Sequence, residues 1–194
     1  MVYIIKEESN NGVAFLPSEN NHVAVCIGFW DIGQRRTDFN GKVKIKNQIL
    51  FRWELDEEIE DGEYKGKKRC LNNVYTASFH EKSSLRRDLE SWRGKLSEQE
   101  RVLGFDLEKM VGESCMINIV HNESGGKMYA NIGAISKVPK GLEVFTPDNI
   151  YRDEIPSFVE GYRARNLETL NVIDSPEPTV ATSSASIEAP MYEQ

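Results

Sequence analysis

The sequence predicts a mainly β protein with one main helix, its five strands rolled into a small barrel between an N-terminal arm and a C-terminal tail. Three observations carry that prediction. Over residues 42–55 apolar side chains alternate with the period of two that a half-buried strand requires. Over residues 85–96 the period changes to that of a helix. Along the chain the elements read strand, strand, strand, helix, strand, strand.

Residues 1–21 mix short apolar runs at 2–5 and 13–16 with loop chemistry at 9–12 and 17–21, and read as an arm. Residues 22–30 are apolar on both sides. Val23, Val25, Ile27 and Phe29 line one face and Ala24, Cys26, Gly28 and Trp30 the other, so this strand is buried on both faces or carries a binding surface on its second. Gly28 and Gly33 stand where a barrel strand bends or bulges. Asn40-Gly41 tolerates the positive φ angles of a type I′ turn and marks a hairpin tip. In the second strand Val43, Ile45, Ile49, Phe51, Trp53 and Leu55 form the expected core face. Lys42, Lys44, Lys46, Gln48, Leu50, Arg52 and Glu54 form the opposite one. A one-residue slip would exchange the faces, so the register is strongly specified.

An acidic loop at 56–61 and a basic stretch at 65–69 precede a third strand at 73–80, with Tyr75, Ala77 and Phe79 on one side. Ser83 or Ser84 caps the helix, whose apolar stripe is Leu85, Leu89, Trp92 and Leu96, and Gly94 marks its end. Ser97 and Glu100 have capping-box spacing for a short second helix. Asp106 starts a further turn carrying Leu107, Met110 and Val111 and ending at Gly112. The fourth strand, 115–121, turns Cys115, Ile117 and Ile119 one way. A loop at 122–127 with Gly125-Gly126 leads to a fifth strand at 128–138, aligning Met128, Ala130, Ile132, Ala134 and Val138. Residues 139–141 stop it. An extension, 142–166, holds a short helix around Ile155, Phe158, Val159 and Tyr162. From residue 167 the chain is Ser/Thr/Ala/Pro-rich and acidic, and reads as a disordered tail.

This order is that of a five-stranded OB-fold barrel over residues 22–141, with the helix plugging the barrel between strands three and four. Other small α+β domains share the same order. In an OB-fold the ligand groove crosses the outer faces of strands two and three. Here strand two carries Lys42, Lys44, Lys46 and Arg52 on that face. The three lysines stand about 7 Å apart, a spacing suited to the phosphates of a single nucleic-acid strand. Arg35, Arg36, Lys67, Lys68 and Arg69 add loop cations, and Trp30, Phe39, Tyr75 and Tyr129 are candidate stacking platforms. The plainer account is that a Lys/Arg stripe keeps an exposed strand from pairing with a neighbour. Trp53 and Trp92 fall on apolar faces and belong to the core, whereas Trp30 suits a buried wall and a platform equally.

The chain has 194 residues, is 39% hydrophobic and carries a net charge of −7, with a mean hydropathy of −0.51. The acidity is uneven. Residues 167–194 hold five acids (Glu168, Asp174, Glu177, Glu188 and Glu193) and no Lys or Arg, leaving −7 + 5 = −2 for residues 1–166. Cys26, Cys70 and Cys115 are far apart and odd in number, which suits reduced thiols better than a disulfide framework or zinc site. No apolar run approaches the roughly 20 residues that span a membrane, so a soluble intracellular protein is expected. A nuclease would need clustered carboxylates for metal ions. The only dense group, Asp56, Glu57, Glu58, Glu60 and Asp61, sits in one loop without a supporting motif. No catalytic residue, metal or cofactor is expected.

The segments YTASFHEK (75–82), LRRDLESWRG (85–94), GFDLEK (104–109), HNES (121–124) and YANI (129–132) resemble a group of small tailed-phage proteins. These lie among replication and recombination functions and are regarded as OB-fold single-stranded DNA-binding proteins. The resemblance covers about residues 22–165, including the Pro139-Lys140-Gly141 turn and Glu154-Ile155-Pro156. It implies a phage protein of the bacterial cytoplasm that coats or protects single-stranded DNA without reading sequence. That family carries no catalytic motif. The alternative is an OB-like adaptor or inhibitor acting on a host enzyme. The acidic tail is similar in kind to those through which bacterial single-stranded DNA-binding proteins recruit phage or host replication and recombination proteins. It departs from them in its Ala189-Pro190-Met191-Tyr192-Glu193-Gln194 end. No membrane partner is expected, and a homodimer is left open.

Overall fold

The computed structural model describes residues 16–171, the Phe39 side chain excepted. The predicted apolar run at 2–5, most of that at 13–16 and the tail from 172 onward lie outside the described residues. Five strands, β1 (Asn21–Phe39), β2 (Lys42–Glu58), β3 (Lys68–Thr76), β4 (Ser114–Ser124) and β5 (Lys127–Ser136), form one antiparallel sheet in the order β3-β2-β1-β4-β5. The sheet is open, because no ladder joins the edge strands β3 and β5.

Helix α1 (Ser84–Arg93) spans that gap. Tyr75 on β3 donates its hydroxyl to Asp88 Oδ2 at 3.0 Å, and Ser91 Oγ donates to the Ile135 carbonyl of β5 at 2.6 Å. Trp92 Nε1 donates to the Ser114 carbonyl at 2.7 Å. The helix starts where the sequence places it, since Ser83 Oγ accepts from the Arg86 N–H, and it ends at Gly94, whose φ is +104°. Its apolar stripe, Leu85, Leu89 and Trp92, enters the core with Ile49, Phe51, Trp53, Leu55, Leu71, Cys115, Ile117, Ile119 and Ile135. Phe51 stacks on Phe29 and Trp53 at 5.6 and 5.4 Å between ring centroids. Helix α2 (Glu98–Leu103) has the complete capping box of Ser97 and Glu100, and a 3-10 turn follows at Leu107–Met110.

Several strand assignments shift, each for a physical reason. A bulge between Cys26 and Gly28 places Cys26 and Phe29 both on the core side, which a strict alternation separates. Gly28 is required there: a Cβ would lie 2.7 Å from the Trp30 indole. A second bulge, opposite Asn118 and Ile119, sets Ile135 rather than Ala134 into the core. Strand β3 begins at Lys68 rather than residue 73, because Trp53 pairs with Leu71 and Glu54 with Cys70. Ala77 and Phe79 fall beyond its end. Val43 and Ile45, expected in the core, are 47% and 50% exposed. Helix α3 (Ser157–Asn171) runs past residue 166, so the extension reaches into what the sequence assigned to the tail. Among the described residues no helix is long and apolar enough to cross a membrane.

Candidate nucleic-acid interface

Beyond Asp31 the β1–β2 pair leaves the sheet. Pairing with β4 covers only Asn21–Val25, and pairing with β3 stops at Gln48 opposite Thr76. In the strand ladders residues 34–47 therefore pair only with each other, as a projecting two-stranded ribbon, and the Asn47 carbonyl at its base also accepts the Ala77 N–H at 2.8 Å. A bulge between Asp31 and Gln34, with Gly33 at φ +80°, re-aims it. Its tip is the Asn40-Gly41 turn, with φ of 52° and 71° as a type I′ turn requires.

The register sorts the ribbon's charges by face. Arg35 pairs with Lys46, Thr37 with Lys44 and Phe39 with Lys42, whereas Arg36 pairs with Ile45 and Asp38 with Val43. Directly opposed residues share a face in an antiparallel pair. One face therefore carries Arg35, Lys42, Lys44 and Lys46. All four are exposed, and among the described residues none forms an ion pair. Residues 34–47 hold five cations and one acid, +5 − 1 = +4 in a chain of net −7. Like charges placed directly opposite destabilise a strand pair, and an isolated two-stranded ribbon is only marginally stable. The base of this one is braced by α3. Thr169 Oγ1 accepts the Arg36 backbone N–H at 3.0 Å, and Asn166 Nδ2 donates to the Ile32 carbonyl and Gln48 Oε1 at 3.0 and 3.1 Å.

The same helix covers the part of the β2 face that sequence reasoning left open. Val159 is fully buried against Trp30, Ile32 and Leu50. Trp30 is 6% exposed, donates Nε1 to the Glu154 carbonyl at 2.9 Å and packs edge-on against Phe158. It is a wall rather than a platform. Tyr75 is no platform either, being 3% exposed in the core. Burial, and then the Asp88 carboxylate, push its phenol well above the ordinary range. Tyr129 is exposed on the β4–β5 hairpin, separated from β2 by β1 and β4.

A second basic cluster lies on the other side of α3. Arg52, Lys67, Lys68 and Arg69 line a cavity of about 440 Å³ with Ile27, Ile59, Tyr64 and Tyr151. Sequence reasoning placed Arg52 in one groove with Lys42, Lys44 and Lys46 and read Lys67, Lys68 and Arg69 as loop cations, but the α3 packing on Leu50 and Gln48 stands between Arg52 and the three lysines. Arg52 lies over the Phe158 ring at 4.4 Å and donates to Asn72 Oδ1. Lys67 lies over Tyr64 at 5.5 Å, Lys68 over Phe145 at 4.6 Å, and Arg69 pairs with Glu57 at 2.7 Å. Tyr64, Phe145 and Tyr151 were missed. Tyr64 adjoins the basic stretch and could have been singled out, whereas the other two arrive from the distant extension. Glu54, at the back of the cavity, accepts from the Asp148 N–H at 2.8 Å, and burial raises its carboxyl pKa.

The acidic group expected in a loop begins within β2, which runs to Glu58, and two of its members have partners: Asp56 Oδ1 lies 3.1 Å from His22 Nδ1, and Glu57 holds Arg69. Among the described residues no group of three or more His, Cys, Asp or Glu could hold a metal ion. Cys26 and Cys115 are buried free thiols, with burial pushing Cys26 up to about 12. No protein-family model, curated protein or solved structure matches the chain.

Proposed function

We propose that this chain binds single-stranded DNA along the cation face of the β1–β2 ribbon, holding phosphates without reading bases. One observation carries the proposal. Arg35 and Lys46 oppose each other across the ribbon, with Lys44 and Lys42 following along the same face, and among the described residues no ion pair compensates them. Such an arrangement costs stability in the free protein and is relieved by an anionic partner, whose binding releases counterions. The strand order, with α1 across the gap between β3 and β5, supports reading the domain as an OB-type barrel opened at that seam. On this reading the protein coats or protects single strands in phage replication or recombination, in the bacterial cytoplasm and without catalysis. The resemblance to tailed-phage single-stranded DNA-binding proteins supports that setting.

The test is a salt titration of the full chain with labelled oligothymidine, duplex DNA and RNA. Salt-sensitive binding that favours single-stranded DNA and is lost in Lys44→Glu/Lys46→Glu is the expected result. Absence of any binding at low salt would overturn the proposal. A second reading, a protein–protein adaptor, is favoured by Val43 and Ile45, which expose apolar surface on the ribbon's reverse face.

A further inference from the structure

The second basic cluster has a different construction from the ribbon. Three of its four cations are held by aromatic rings and an amide: Arg52 by Phe158 and Asn72, Lys67 by Tyr64, and Lys68 by Phe145, while Arg69 pairs with Glu57. Among the described residues Arg52, Lys67 and Lys68 form no ion pair. Cation–ring contacts position a charge without neutralising it. The space these groups surround is concave, and its carboxylates, Glu54 and Asp148, together with Glu57, which pairs with Arg69, leave an excess of positive charge: +4 − 3 = +1.

We propose that this cavity is a second anion site, separate from the ribbon, that takes a nucleoside phosphate. Its size and walls select that class over a bare phosphate. About 440 Å³ is far more than one phosphate group fills, and it falls in the range of small-molecule sites. Ile59, Tyr64 and Tyr151 give it apolar and aromatic surface on which a base and sugar can lie. Asn149 supplies an amide able to pair with a base edge. Arg52, Lys67 and Lys68 supply the charge for the phosphate. Glu54, fixed by the Asp148 N–H, holds the 148–149 segment that forms one wall. The ligand is either a free mononucleotide or the phosphorylated end of a strand, which present the same chemistry.

The experiment is calorimetric titration of the full chain with thymidine 5′-monophosphate, thymidine and inorganic phosphate. Thymidine monophosphate binding tightest, and weakening at least tenfold in Lys67→Gln/Lys68→Gln with an unchanged melting temperature, is the expected result. No binding at millimolar nucleotide, equal binding of phosphate alone, or full affinity in that variant would each overturn the site. A 5′-phosphorylated oligothymidine is compared with its 5′-hydroxyl form. A preference for the phosphorylated end, lost in Lys67→Gln/Lys68→Gln, assigns a strand terminus; equal affinity alongside mononucleotide binding assigns a free nucleotide. Lys44→Glu/Lys46→Glu separates this site from the ribbon. Loss of mononucleotide binding there would move the ligand to the ribbon and overturn the cavity. Loss of only oligonucleotide binding leaves both sites standing.

Discussion

Neutralising Lys44 and Lys46 to glutamine removes two of the four cations on the ribbon face while leaving Arg35 and Lys42 in place. Single-stranded DNA contributes a salt slope of roughly −0.7 per neutralised phosphate, so four contacts give about −2.8 and two about −1.4. Between 50 and 200 mM salt, a fourfold rise, the wild type should lose about 50-fold in affinity and the variant only about 7-fold. Both side chains are exposed and make no ion pair among the described residues, so removing their charge leaves the core untouched. Relief of the Arg35–Lys46 opposition should even raise the melting temperature slightly. Fluorescence anisotropy of a labelled oligothymidine, repeated across the salt series, measures the slopes directly. An unchanged slope in the variant would refute the assignment of phosphate contacts to this face, whatever the absolute affinity.

Trp53→Ala empties the space between Phe51 and Trp92, and a buried aromatic deletion costs about 3–5 kcal/mol. At about 2–4 °C per kcal/mol for a domain of this size, the melting temperature should fall by roughly 6–20 °C, measured by circular dichroism. A fall under a few degrees would contradict the packing. Glu54 carries a raised carboxyl pKa in the folded state, so folded protein binds its proton more tightly than unfolded protein does. Its contribution is fully present below the unfolded value of 4.5 and is lost as pH rises from there through the folded value. Glu54→Gln should remove that loss, narrowing the difference between urea midpoints at pH 5 and pH 7, and an unchanged difference would contradict it. Val159→Asp places a carboxylate where α3 meets Trp30, Ile32 and Leu50. It should detach the helix and red-shift the Trp30 emission, while Trp53 and Trp92 stay in the core; an unshifted spectrum would show that α3 does not seal this face.

Local signals were legible wherever a few adjacent residues decide the outcome. Ser83, Ser97 with Glu100, and Asn40-Gly41 each close their own hydrogen bonds or set their own φ, and the structure places them as the sequence does. The inner face from Ile49 to Leu55 was legible for the same reason, being one uninterrupted alternation. Alternation fails at bulges. One extra residue near Gly28 or Gly133 changes which neighbours face inward, and only the partner strand reveals the count. Val43 and Ile45 continue the core pattern of β2, yet they stand about half exposed, because the ladders with β3 and β4 end before the ribbon. The cover of Trp30 was hidden for a similar reason. Its partners Tyr151, Glu154 and Phe158 lie more than 100 positions away in sequence, and nothing local to residue 30 announces them. The expected groove divides into two clusters because the chain folds back over its middle.

Helix α1 occupies the space in which β3 and β5 would otherwise face each other, and holds the Ile135 carbonyl of β5 and the Tyr75 hydroxyl of β3. An unpaired edge strand is a template for a second chain. The ten residues of α1 therefore act as a guard on two templates at once. Unfolding of this one helix would uncover both edges together, along with the apolar surface beneath Leu85, Leu89 and Trp92. Self-association on heating should then track the loss of helical signal, because the segment that completes the core is also the one that keeps copies of the sheet apart.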